Sequence, residues 1–134
     1  MEISGKKISM IGAFRSGVGA ARLAKKFGAI PFVSDSSDSE KINTSVNQLL
    51  NENILFEVGQ HSEKVYDCDL MVVSPGVPSD APVLKTALEH KIKVISELEF
   101  AFLFCKANVI GITGTNGKTT TTSLCDYLFN ECGV

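Results

Sequence analysis

The sequence has no surplus of basic charge: thirteen Lys and Arg stand against fifteen Asp and Glu, a formal net charge of −2. Such a balance offers no cationic field to hold a nucleic acid through its phosphates. Any anionic ligand must instead be held locally, by backbone N–H groups and a few side chains. Long apolar runs are lacking too. The longest, such as "DLMVV" (69–73) and "VIGI" (109–112), fall far short of the ~20 residues that cross a bilayer. The opening "MEISGKKISMIG" holds no apolar stretch leading to a small-residue cleavage site, so no signal peptide is predicted. Cysteine is sparse and scattered: Cys68, Cys105, Cys125 and Cys132, with no C-x-x-C pair. That spacing gives little support to a metal site or a disulfide framework, and reduced thiols fit a cytoplasmic protein. There is no internal repeat and no low-complexity run.

What is present is a regular alternation. The chain is 44% hydrophobic, enough for a core. Short apolar runs read as buried parallel strands at 7–11, 30–34, 54–58, 69–74, 93–96 and 108–113. Amphipathic stretches at 17–27, 39–51 and 80–90 separate most of them at helical spacing. Ser96 followed by Glu99 matches a capping box ahead of "LEFAFLF". The polar segment "SDSSDSEK" (34–41) reads as a loop running into a helix. Strand alternating with helix predicts an α/β, Rossmann-like parallel sheet with helices on both faces. A boundary is expected near Lys106, dividing a domain at 1–106 from a second unit at 107–134. That second unit reads as the first strand–phosphate loop–helix of an ATPase domain, so the chain is expected to be the front part of a longer protein.

Two glycine turns draw attention. The first, Gly12-Ala13-Phe14-Arg15-Ser16-Gly17, has the outer glycines of the dinucleotide fingerprint G-x-G-x-x-G. Phe14 replaces the middle one, where backbone must approach a pyrophosphate closely. This argues against a standard NAD pose. It leaves two readings open: an anion site at a helix N-terminus, or a turn whose glycines serve only tight packing. Asp35 ends the second strand, about where a ribose-binding acid belongs.

The second turn, "GITGTNGKTTTT", departs from G-x-x-x-x-G-K-[ST] because Ile112 stands where the first glycine is required. The physical parts remain. Gly114 and Gly117 let the backbone curl and turn N–H groups toward phosphate oxygens. Lys118 can reach terminal phosphates, and the Thr119 hydroxyl can ligate magnesium, with Thr120 beside it. The alternative is an ordinary glycine turn with a solvated lysine, and residue order and context favour the phosphate loop.

The stretch "GITGTNGKTTTTSL" resembles the ATP-binding loop of the Mur ligase family, which departs from the general P-loop in the same way. "SPGVPSDAPVLKTA" (74–87) and "ISELEF" (95–100) are similar to the D-glutamate-adding branch of that family. The resemblance runs along the whole chain. It implies that the first turn binds the UDP part of a peptidoglycan precursor and the second binds ATP. Arg15, Ser16, Asp35, Ser36 and Gly76 then fall at the UDP-substrate site. Gly114, Thr115, Asn116, Gly117, Lys118, Thr119 and Thr120 fall at the ATP site, with Lys118 and Thr119 in catalytic roles and Thr119 on Mg2+. The implied partners are UDP-N-acetylmuramoyl-L-alanine, D-glutamate and ATP, joined through an acyl phosphate, with the remaining central and C-terminal domains of the same enzyme. This chain alone is expected to be inactive. Phe14 and Arg15 depart from the family's usual turn. The competing readings are the NAD(P)-binding domain of a dehydrogenase and a non-catalytic nucleotide-binding module.

Other polar residues read as structural. His61 falls in a polar loop and His90 at a helix end, and neither has an acid–nucleophile partner nearby in sequence. Glu97 and Glu99 read as first-turn carboxylates, and Asp67 and Asp69 as a solvated turn. Phe100, Phe102 and Phe104 read as core, or as a face for a further domain.

Overall fold

The computed structural model describes residues 2–39 and 42–133. Five strands form one parallel sheet: β1 (Lys7–Ile11), β2 (Ile30–Asp35), β3 (Leu55–Val58), β4 (Leu70–Val73) and β5 (Val94–Ser96). Their order is β3-β2-β1-β4-β5, with β1 between β2 and β4. Helices α1 (Arg15–Lys26), α2 (Asn43–Asn51), α3 (Pro82–Glu89), α4 (Glu97–Phe102) and α5 (Lys118–Cys132) follow in chain order, and a 3-10 turn spans Glu63–Tyr66.

The two faces of the sheet divide as a period of two requires. Ile8 and Met10 of β1, Val33 of β2, and Leu70 and Val72 of β4 share one core with Val18, Ala21 and Ala24 of α1, Leu49 of α2 and Phe100 of α4. Ile11 and Met71 face the other way, onto Val83, Leu84 and Ala87 of α3 and Val65 of the 3-10 turn. Helices therefore lie on both faces, as the alternation predicts. The small side chains on the inner face of α1 let it sit close to the sheet. Its C-terminus is closed by Gly28 at φ +79°, with the Ala29 N–H returning to the Ala24 carbonyl at 3.0 Å.

The start of β1 is tied to the turn before β4. The Lys7 N–H donates to Asp69 at 2.9 Å, and the Lys7 ammonium reaches Asp67 at 2.7 Å. The "solvated turn" of the sequence thus also anchors the start of the central strand to the approach to β4. α4 begins where expected, with Ser96 Oγ accepting from the Glu99 N–H at 3.1 Å. Phe100 is fully buried, its ring edge-on to Phe104, which stacks on Phe27 at 4.3 Å; Phe102 is exposed. His90 caps α3 and packs against Tyr66.

The expected helix over 39–51 begins at Asn43, and residues 40 and 41 lie outside the described residues. The expected strand over 108–113 is not formed: the stretch has no regular structure and joins none of the five strands. A strand exists through its ladder, and these residues pair with no neighbour. α5 does form, with no buried residue along its length.

Candidate functional site

A cleft of about 740 Å³ opens at the carboxyl ends of β1, β2 and β4. In the strand order, β1 and β4 flank the point where the connection direction reverses, the position at which open α/β sheets bind ligands. The geometry of the first turn explains its glycines. Gly12 sits at φ +106°, and a Cβ there would lie 2.8 Å from Ser74 Oγ. A Cβ on Gly17 would lie 1.9 Å from the Gly12 carbonyl oxygen. Both are therefore required for packing, whatever the turn binds. Phe14, half-exposed, caps α1 without a side-chain hydrogen bond and forms part of the cleft wall.

Asp35 is buried at the end of β2 and joins two loops. One carboxylate oxygen accepts from the Ala13 N–H at 2.7 Å, and the other from the Ser37 N–H at 2.8 Å. The first bond fixes the glycine turn against β2; the second closes an Asx turn over Ser36. Each oxygen keeps a second lone pair. Ser16, Asp35, Ser36 and Gly76 all line the cleft. Arg15, the first residue of α1, is exposed and lies outside the lining. Ser74, also in the lining, donates to Glu97 at 3.0 Å, so Glu97 braces the loop after β4 as well as standing in the first turn of α4.

His61 lies in a loop, as the sequence predicts, but it is not simply solvated. His61 lines the same cleft, and its Nδ1 lies 2.7 Å from Ser34 Oγ. Ser34 is fully buried and donates to Glu57 at 2.7 Å. Glu57 in turn accepts from the Ser62 N–H at 2.8 Å and hydroxyl at 2.5 Å. Partial burial pushes the Glu57 carboxyl up, but the Ser62 and Ser34 hydrogen bonds and nearby His61 outweigh it, and the group lies below its ordinary value. Burial lowers the His61 imidazole against the opposing pull of Asp35 and Glu57. A signal for this network was present: Glu57 is an acid inside the apolar run "ILFEV", and in register it stands beside Ser34.

The second turn is separate from this cleft, since none of its residues is in the lining. Gly114 and Gly117 hold φ +153° and +78°, conformations that favour glycine. α5 starts at Lys118, whose Nζ donates to the Gly114 carbonyl at 2.5 Å. The lysine thus folds over its own loop. Thr119 and Thr120 are exposed at the helix start, and their hydroxyls make no hydrogen bond with the described residues. Curled backbone, helix N-terminus, lysine and free hydroxyl together form a donor set that suits a nucleotide's phosphates and a hard cation.

Residues 7–83 match the family model of the MurD N-terminal domain. Over 132 residues the chain is 47% identical to a UDP-N-acetylmuramoylalanine–D-glutamate ligase of Chloroherpeton thalassium, covering 98% of this chain and 28% of that protein. A ligase of the same name from Chlorobium phaeobacteroides is 44% identical over 134 residues, covering 100% of this chain and 28% of its own length. The chain therefore spans about 28% of these curated relatives. Among solved structures, a murein peptide ligase from Psychrobacter arcticus superposes with a TM-score of 0.65 at 24% identity, covering 96% of this chain and 27% of that one, a likeness of fold. With its family model matched over more than half its length, the chain belongs to the MurD N-terminal domain family.

Proposed function

We propose that this chain holds the uridine diphosphate end of UDP-N-acetylmuramoyl-L-alanine, within a ligase that joins that precursor to D-glutamate at the expense of ATP in the cytoplasm. The observation that carries the proposal is the cleft at the switch point, where Ser16, Asp35, Ser36 and Gly76 converge. Asp35 and Ser36 offer acceptors and a hydroxyl to the nucleoside. The N-terminus of α1 offers backbone N–H groups and its dipole to the diphosphate. Arg15 supplies an exposed cation one residue before Ser16, suited to a charge-assisted bond with a phosphate oxygen. The lack of a middle glycine at Phe14 disfavours the closely approached pyrophosphate of a dehydrogenase.

The loop at Gly114, Thr115, Asn116, Gly117, Lys118, Thr119 and Thr120 is proposed to hold ATP, with the Thr119 hydroxyl on Mg2+. ATP would supply the phosphoryl group that activates the precursor's carboxylate. In that role Lys118 leaves the Gly114 carbonyl and places its charge on the terminal phosphates, where positioning and charge neutralisation dominate.

Calorimetric titration with UDP-N-acetylmuramoyl-L-alanine, NAD and ATP tests the first part. Saturable binding of the precursor and none of NAD is expected. Binding of NAD without the precursor would overturn the reading in favour of a dehydrogenase domain.

A further inference from the structure

We infer that His61 is a recognition residue of the nucleotide cleft, presenting Nε2 as a hydrogen-bond acceptor to a donor at the nucleoside end of the ligand. The inference rests on the nucleotide-site reading above and deepens it. Its basis is the order of protons along the partly buried chain Ser62–Glu57–Ser34–His61, in which Ser34 is fully buried. Glu57 takes the Ser62 N–H and hydroxyl, and its Oε1 also lies 2.7 Å from Ser34 Oγ. An ionised carboxylate can only accept, so the 2.7 Å contact requires the single Ser34 proton, which points to Glu57 rather than to the Gln60 carbonyl at 3.4 Å. Ser34 Oγ then has only a lone pair to offer His61 Nδ1 at 2.7 Å, and Nδ1 must carry the ring proton. In the neutral imidazole the other nitrogen, Nε2, is left as a bare acceptor. It has no partner among the described residues, and the ring lines the cleft beside Asp35 and Ser36. Burial, opposed by the Asp35 and Glu57 carboxylates, favours this neutral form.

Two donors fit that acceptor: the imide N–H of a uracil-type base and a ribose hydroxyl. A base with a ring acceptor in place of the imide N–H would set two lone pairs against each other. The cleft would then discriminate by the cost of an unpaired polar group.

The test has two arms. Nitrogen-15 NMR of the histidine side chains should show Nδ1 protonated and Nε2 unprotonated at neutral pH; the opposite tautomer would overturn the inference. Titration of the wild-type chain with UDP, CDP, N3-methyl-UDP and 2′-deoxy-UDP then identifies the donor. Loss of the relevant donor should weaken binding about tenfold. His61→Phe should weaken UDP by a similar factor and abolish the discrimination. Equal binding of all four nucleotides by the wild type would overturn the inference and leave the nucleotide site standing. Failure of the wild type to bind UDP or the full precursor would remove the nucleotide-site reading, and this inference with it. Because the nucleotide comparison uses the unaltered protein, a folding defect in His61→Phe does not decide the matter.

Discussion

Asp35 and Gly17 each serve shape before chemistry. Gly17 has no room for a methyl group, since a Cβ would meet the Gly12 carbonyl at 1.9 Å. Gly17→Ala should therefore destabilise the fold by about 1–3 kcal/mol through overpacking, visible as a lower urea midpoint. Glu57 and His61, partly buried and joined through Ser34, should make stability depend on pH in two windows. The folded His61 value lies below its ordinary 6.5. As pH falls through that value the unfolded chain takes up a proton that the native chain refuses, and stability drops. The folded Glu57 value lies below its ordinary 4.5. Its contribution is present above that value and is lost as pH falls further, through the folded value. Thermal melts at stepped pH should show both losses in the wild type. His61→Phe should lack the upper one, and Glu57→Gln the lower one. A melt that is flat from pH 7 to 5 in the wild type would contradict the His61 assignment.

At the scale of elements, periodicity and capping carried most of the information. The strands β1, β2 and β4 carry apolar residues on both faces, without strict alternation, because both faces of the sheet are covered. Ser96 and Glu99 marked α4 because an orphan N–H at a helix start takes a nearby hydroxyl. The run at 108–113 has the same apolar character and forms no strand, because pattern reports what a segment can bury and not whether a neighbour exists to pair with it. The partners in the Asp35 bridge and the Ser34–Glu57–His61 network were not legible for a related reason, although Glu57 stood out as an acid in an apolar run: both join residues more than twenty positions apart. Their contacts follow from strand order and register, which the sequence leaves open. Phe100 in α4 is the side chain on which α1 and α4 converge. Phe100→Ala should cost about 3–5 kcal/mol, measurable by chemical denaturation. A loss under 1 kcal/mol would show that α4 is not part of the cooperative unit.

Across the whole molecule, the two glycine turns stand in different surroundings. The first is built into the sheet and faces a formed cleft. The second stands on α5, which buries no residue and leaves Leu124 and Tyr127 exposed. The cleft should thus be competent without the second turn. Lys118→Ala should leave affinity for the UDP precursor unchanged within about twofold while abolishing whatever ATP binding the chain has, as read by parallel titrations. A large loss of precursor affinity in that variant would show the two turns to be one site.

The most direct test of the central claim is to map where the UDP precursor binds, by recording backbone amide NMR shifts of the nitrogen-15-labelled chain during titration. Saturable shifts are expected at Gly12–Gly17, Asp35–Ser37, His61 and Ser74–Gly76, with Gly114–Thr120 unmoved. Shifts centred on Gly114–Thr120, or none in the cleft at saturating precursor, would contradict it.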